Sequence, residues 1–162
     1  MSLTTTVRQA TVADFDAALP LLQRFFAEES FATAPALIGE SLAQLLENPE
    51  SGVFLAWRGA EAIGVATVTT SRGIEFGLSA EMEDLYVLPE MRGVGAGRAL
   101  VQAVQDWCRG QGCTMIEVAV TPQGQAAHDL IGYYRARGFQ ESGRVILSYP
   151  LKDRLAKGTP TP

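Results

Sequence analysis

Between Leu85 and Arg98 an apolar segment passes through Pro89-Glu90-Met91 into Arg92-Gly93-Val94-Gly95-Ala96-Gly97-Arg98. Three glycines at alternate positions strip the side chains from a turn that leads into an amphipathic stretch. Without a Cβ in the way, the N–H groups at the start of a following helix can meet an anion, and the helix dipole adds positive potential there. Arg92 and Arg98 flank the turn and can add charge-assisted hydrogen bonds. The chemistry predicted is phosphate binding. Two common phosphate motifs do not fit. The chain has no Gly-x-x-x-x-Gly-Lys run, and a Gly-x-Gly-x-x-Gly fingerprint fails at Arg98 when counted from Gly93 and at Leu100 when counted from Gly95.

Other chemistries are short of residues. His128 is the only histidine, and Cys108 and Cys113 are the only cysteines, spaced for neither a zinc site nor a CxxC redox pair. No Gly-x-Ser-x-Gly elbow accompanies the histidine. Metal catalysis and triad hydrolysis are therefore not expected, and the cysteines read as packing thiols. Thirteen Lys and Arg against eighteen Asp and Glu leave a net charge of −5, which argues against a nucleic-acid binder. No apolar run approaches the length of a membrane span, and Met1-Ser2-Leu3-Thr4-Thr5-Thr6 does not lead into a secretory signal. A cytoplasmic protein is expected.

The glycine turn must be positioned by its neighbours. Thr6 to Gln9 reads as a first strand. A helix follows, capped by Thr11 or Asp14 and carrying Phe15, Ala18, Leu19, Leu22, Phe25 and Phe26 on one face, with Pro20 expected to kink or delay it. Ile38, Leu42, Leu45 and Leu46 mark a second helix. Val53 to Trp57, Ile63 to Thr70 and Glu81 to Leu88 form an antiparallel meander. Gly95 to Gly110 is helical through Leu100, Val101, Val104, Trp107 and Cys108. Met115 to Val120 is a strand, Gln125 to Arg137 a helix, and Phe139 to about Leu151 a pair of final strands. The fold class is α+β, a mixed and mostly antiparallel sheet with helices on both faces. Residues 1–151 are expected to form one domain, and 152–162 a polar, flexible tail.

The glycine turn matches the pattern Arg-x-x-Gly-x-Gly, and Leu130-Ile131-Gly132-Tyr133-Tyr134-Arg135-Ala136-Arg137-Gly138-Phe139 adds a tyrosine-bearing helix followed by Gly-Phe. On these two segments and on element order over about residues 6 to 151, the chain resembles the GNAT N-acetyltransferases. The resemblance implies acetyl-CoA as cosubstrate and direct transfer of its acetyl group to a primary amine. It implies that the strands at Glu81–Leu88 and Met115–Val120 splay to admit pantetheine, with backbone groups of Leu85 and Val87 pairing to it. Arg92, Gly93, Val94, Gly95, Ala96, Gly97 and Arg98 would hold the pyrophosphate. Tyr134 stands where the family often protonates the departing thiolate, and Tyr133 is the competing choice. Glu81, four residues before Leu85, stands where some members carry a general base, with Glu83 second. By alternation Glu81, Glu83, Leu85 and Val87 share a face and Asp84 takes the other unless a bulge intervenes. Ala127 replaces an asparagine that usually contacts the cofactor, and His128 beside it reads as a surface or helix-packing residue.

Glu28, Glu29, Glu40, Glu81, Glu83 and Asp84 would favour a cationic acceptor. A small-molecule amine is preferred to a peptide amine, with no nucleic acid or membrane partner, and a homodimer is allowed. Two other readings stand beside the enzyme: a non-catalytic acyl-CoA sensor on the same fold and a nucleotide-binding regulatory domain.

Overall fold

In a computed structural model, residues 4–152 are described. Strand β1 (Thr5–Gln9) leads through a 3-10 turn into helix α1 (Phe15–Glu28), followed by α2 (Pro35–Glu47). Strands β2 (Ser51–Arg58), β3 (Glu61–Gly73) and β4 (Gly77–Val87) form the meander, and α3 (Ala96–Gln111) follows the glycine turn. Strand β5 (Met115–Glu117) and helices α4 (Pro122–His128) and α5 (Leu130–Arg135) complete the order. The sheet runs β1-β2-β3-β4-β5, antiparallel throughout except for the parallel β4–β5 pair.

The meander follows from its turns. The β2–β3 hairpin closes on Gly59, whose φ of 62° is the left-handed conformation that a two-residue loop demands. Val53–Ala56 and Ile63–Val68 are buried at consecutive positions rather than alternate ones, as strands covered on both faces must be. Helix α3 covers one face: a Cβ on Gly64 of β3 would lie 3.1 Å from Leu100 and 3.2 Å from Val87. Helix α1 covers the other, where Phe25 lies 5.4 Å from the Tyr86 ring.

Pro20 sits inside α1 without ending it. The delay falls at the entry instead. Asp14 accepts a hydrogen bond from the Thr11 N–H (2.9 Å) and is paired with Arg8 at 2.7 Å, so a 3-10 turn precedes the first α-helical residue. The arginine and the Thr11 N–H hold the Asp14 carboxyl down at about 2.

Three expected elements differ. The strand expected over Met115–Val120 pairs only through Glu117. The single helix expected over Gln125–Arg137 is two, because Asp129 adopts φ 47° and its carboxylate accepts from the Gly132 N–H, starting a new helix where the first stops. Asp is among the few residues that tolerate this backbone, since its side chain bonds locally. The two final strands are not formed: residues 139–152 contain no strand, and Val145, Ile146, Leu147, Tyr149 and Leu151 are exposed. Alternation supplies one face of a strand but not its neighbour, and none of the described residues pairs with this segment as a strand. Residues 153–162 of the expected polar tail lie outside the described residues.

Candidate active site

The site begins where two strands part. β5 pairs with β4 at Ser79↔Met115, Ala80↔Ile116 and Glu81↔Glu117, then leaves it, while β4 continues to Val87. The Leu88 N–H bonds to Ile63 O of β3 at 2.9 Å, so alternation turns the backbone groups of Val87 and Leu85 away from β3, into the gap. The Val87 carbonyl is already taken by the Arg92 Nε at 3.1 Å, which leaves its N–H to a ligand.

A cleft of about 560 Å³ occupies this gap. The strand supplies Glu83, Leu85 and Val87, the turn supplies Arg92, Gly93, Gly95, Ala96, Gly97 and Arg98, and Tyr133 and Tyr134 come from α5. These sequence-predicted residues make up half of the lining. Val94 is part-exposed at the turn but is not among the lining residues, and neither is Glu81.

The three glycines serve two purposes. Gly93 and Gly95 both have φ of 86°, and a Cβ at either would meet no protein atom within 4 Å. Their backbone is left-handed and bare on its outer side, with Gly95 capping α3. That is a cradle a diphosphate fits, since the first-turn N–H groups of a helix have no internal partners. Gly97 is different. Its backbone is ordinary, but a Cβ there would lie 2.6 Å from the Tyr133 hydroxyl. The third glycine lets α5 approach α3 and thereby holds one wall of the cleft. Gly97→Ala is expected to cost about 1–3 kcal/mol by overpacking and to displace Tyr133. Thermal unfolding and a CoA titration should then both weaken, whereas unchanged values in both would remove this packing role.

The two arginines also divide. Arg92 Nη2 donates to Glu28 Oε1 at 2.7 Å, and its guanidinium lies 5.7 Å from the Tyr86 ring centre. The Tyr86 hydroxyl donates to the other Glu28 oxygen at 2.9 Å. Burial pushes the Glu28 carboxyl up, and the hydrogen bonds from Arg92 and Tyr86 more than offset it, so it stays below its usual value. Burial and that same bond push the Tyr86 phenol up to about 12. Arg92 thus ties the turn to the end of α1. Arg98 makes no ion pair among the described residues and lines the cleft.

A bulge reorders the acidic residues of β4. The β3–β4 register passes from Thr67↔Asp84 to Val68↔Met82 and skips Glu83. The extra residue shifts the alternation, so Asp84 shares a face with Glu81 and Tyr86, while Leu85 and Val87 point to the opposite one. The common face expected for Glu81, Glu83, Leu85 and Val87 is corrected accordingly. Thr67 Oγ1 donates to Asp84, and Thr69 Oγ1 donates to Glu83 Oε1 at 2.8 Å. Burial raises the Asp84 carboxyl against the opposing Thr67 bond, with the Glu83 charge adding to the rise. Burial, then the charges of Glu83 and Glu117, raise Glu81.

Tyr134 is 8% exposed and packs edge-on against Tyr133 and Phe139 at 5.3 Å each. Burial, and secondarily Tyr133, push its phenol well above the ordinary value, so it keeps its proton at neutral pH. Half of the lining was not singled out for the site, Phe25, Phe31, Tyr86 and Arg137 among it. Phe25 read only as helix core, and Glu29 only as one of six acidic residues favouring a cationic acceptor. His128 lines the cleft as well and meets Glu29 Oε1 at 3.2 Å, tying α4 to the end of α1.

A family model described as "Acetyltransferase (GNAT) family" matches residues 15–139. An aminoglycoside N(6')-acetyltransferase type 1 from Stenotrophomonas maltophilia is 36% identical over 146 residues, covering 87% of this chain and 90% of that protein. An uncharacterized N-acetyltransferase of Bacillus subtilis, YhfO, is 28% identical over 90% of this chain and 99% of its own. Among solved structures, an integron cassette protein from the mobile metagenome of a salt marsh superposes with a TM-score of 0.80 at 28% identity, covering 92% of each chain. The aminoglycoside N-acetyltransferase AAC(6')-Iy, crystallised with CoA, superposes at 0.78 and 20% identity, over 94% of this chain and 98% of that one, a likeness of fold. Among the described residues no helix is long and apolar enough to cross a membrane.

Proposed function

The chain belongs to the GNAT acetyltransferase family, and we propose that its acceptor is a small, cationic, multi-amine molecule of the aminoglycoside kind, acetylated within the cleft between β4 and β5. The protein is an acetyl-CoA-dependent N-acetyltransferase transferring to a primary amine. The observation that carries the acceptor reading is the placing of carboxylates. Glu83 and Glu29 line the cleft; of the arginines that line it too, Arg92 is paired with Glu28, Arg137 lies against the Tyr133 ring and Arg98 is given to the pyrophosphate, which leaves the two carboxylates for a cationic acceptor. The relative sharing 36% identity, named for aminoglycoside N(6') acetylation, supports the same class.

The roles follow from the geometry. Gly93 and Gly95 present backbone N–H groups to the pyrophosphate, helped by Arg98, with Val94 and Ala96 contributing main chain and Arg92 bracing the turn from behind. The backbones of Leu85 and Val87 align the pantetheine, and a free N–H here faces the thioester oxygen as negative charge develops on it. The acceptor's ammonium must lose a proton before it attacks. Glu83, held by Thr69 and lining the cleft, receives that proton directly or through water, and Glu81 at the mouth of the strand gap is the second candidate. Once the C–S bond breaks, Tyr134 donates its proton to the thiolate and is reprotonated from solvent. Residues 1–151 act as one unit in this reading. It works where acetyl-CoA is made and used, in the cytoplasm.

Glu83→Gln is expected to lower turnover about a hundredfold, within the usual contribution of a positioned base. Glu81→Gln is expected to change it severalfold at most. Steady-state rates across pH with an aminoglycoside carrying a 6'-amine measure both. If Glu81→Gln produces the larger loss, the base assignment passes to Glu81. If no aminoglycoside is acetylated while simpler diamines are, the acceptor class is wrong and the fold chemistry stands.

A further inference from the structure

Glu29 caps the C-terminus of α1, and His128 is the last residue of α4. Both line the cleft, and they meet at 3.2 Å between Glu29 Oε1 and His128 Nε2. Each is followed by a residue in the left-handed region, Ser30 at φ 56° and Asp129 at φ 47°. Among the described residues these are the only non-glycine positions of positive φ. Backbone of this kind persists only where its surroundings hold it, and it gathers at functional sites.

The surroundings are specific on both sides. The Phe31 N–H reaches Phe26 O at 2.9 Å and the Ser30 N–H reaches Ala27 O at 3.2 Å, closing α1 with serine where glycine is usual. The Phe31 ring then packs edge-on against Phe25 and Phe26. Across the cleft, Asp129 accepts from Gln125 Nε2 at 2.9 Å, and Gln125 Oε1 accepts from the Ile131 N–H at 2.8 Å. Glu29 and His128 are thus presented to each other from two fixed helix ends.

The charges around the pair are already engaged. Glu28 is bonded on both oxygens, by Arg92 and by the Tyr86 hydroxyl. Asp129 is bonded by Gln125 and the Gly132 N–H, and Glu83 by Thr69. Glu29 differs. Its side chain is only 14% exposed, His128 is its one side-chain partner among the described residues, and Oε2 has none. An ionised carboxylate can only accept, so a neutral imidazole donates from Nε2 and leaves the pair with a full negative charge. A second proton on the imidazole cancels that charge.

We propose that His128 is a positioning residue for the acceptor: it aims the Glu29 carboxylate at a second ammonium group, one that does not react, and so sets the preference for acceptors with more than one amine. This rests on the cationic-acceptor reading above, with Glu83 left to the reacting amine. Because protonated His128 cancels the Glu29 charge, the preference weakens on acidification through the range of about pH 8 to 5 in which histidine changes charge.

The test compares hexamethylenediamine with hexylamine, equal in chain length, alongside an aminoglycoside bearing a 6'-amine. Steady-state rates give KM and kcat, and calorimetry on the CoA complex gives Kd without turnover. At about pH 8, His128→Ala should raise KM for the diamine about tenfold, near the lower worth of a hydrogen bond to a charged group. Its kcat should move far less, so the diamine-to-monoamine ratio of kcat/KM falls with KM. Glu29→Gln should lower the ratio as much, and the two changes together no further than either alone. His128→Gln keeps a donor near the place of Nε2 and cannot gain charge. It should hold the parent's preference on acidification, where the parent loses it. An unchanged ratio in His128→Ala, a loss confined to kcat, additive losses in the double variant, or equal acid sensitivity in His128→Gln and the parent overturns the inference, as does a parent that favours neither amine in rate or binding. If the aminoglycoside is refused while the diamine preference and its dependence on His128 persist, the acceptor class falls and the positioning role stands.

Discussion

Gly95→Glu is expected to lower acetyl-CoA affinity by a hundredfold or more, with the fold retained. Gly95 has φ of 86° and open space where its Cβ would stand. A side chain therefore clashes with nothing in the protein and bears only the left-handed backbone penalty, about 1–2 kcal/mol. The effect on the ligand is larger. A carboxylate would stand beside the first-turn N–H groups, repel the pyrophosphate and supplant hydrogen bonds to a charged group worth about 1.5–3 kcal/mol each. At about 1.4 kcal/mol per factor of ten, loss of one or two such bonds accounts for the change. Gly95→Ala carries the backbone penalty without the charge, so calorimetric titration of both variants separates the two contributions. Equal losses in the two would assign the effect to backbone strain. Unchanged affinity in Gly95→Glu would move the pyrophosphate elsewhere.

Tyr134→Phe is expected to lower turnover by about a hundredfold to a thousandfold, in the range of general acid catalysis, while leaving acetyl-CoA binding nearly unchanged. The ring is buried against Tyr133 and Phe139, and loss of one oxygen keeps that packing. The phenol is held protonated at neutral pH by its burial, so it is a donor rather than a base. A thiolate left without a donor must draw its proton from water, and the departure of CoA slows. A drop in kcat with constant Kd for acetyl-CoA is the expected pattern. Turnover equal to the parent's would transfer the acid role to Tyr133 or to solvent. Tyr133→Phe is the matched control, and because the Tyr133 hydroxyl instead sits over Gly97, a smaller loss is expected there.

The glycine turn was legible because its geometry is written in backbone requirements. A left-handed turn before a helix needs glycine, and Gly93 and Gly95 announce it at fixed spacing from Arg92. Gly97 carried the same letter for another reason, which only the approach of Tyr133 reveals. The register of β4 was not legible. Alternation has a period of two and no memory of a skipped residue, so the bulge at Glu83 exchanged the faces of everything beyond it. That exchange brought Asp84 to the face of Glu81 and Tyr86 and sent Leu85 and Val87 to α3. Asp129 is a related case: a helical stretch of amino acids was divided by one side chain that bonds better to Gly132 than the helix interior would allow. The final strands show a third limit. Val145 to Leu151 alternate as a strand should, yet a strand is defined by its neighbour, and none of the described residues pairs with them as one.

The scarcities of the composition fit the same chemistry. Direct acetyl transfer needs neither a nucleophilic cysteine nor a histidine triad. Burial pushes the Cys108 thiol up to about 12, far from the thiolate that a covalent route would require. His128 is not isolated from the cleft, but its partner is Glu29 rather than a nucleophile.

The most direct test is a coupled measurement on the intact protein: acetyl-CoA and an aminoglycoside bearing a 6'-amine are mixed, and free thiol and acetylated product are counted together. The prediction is one thiol released per amine acetylated, abolished by Gly95→Glu and strongly slowed by Tyr134→Phe. An unaltered rate in both variants, or acetyl-CoA binding with no thiol released to any amine of a broad panel, would contradict the assignment of catalysis to the cleft between β4 and β5.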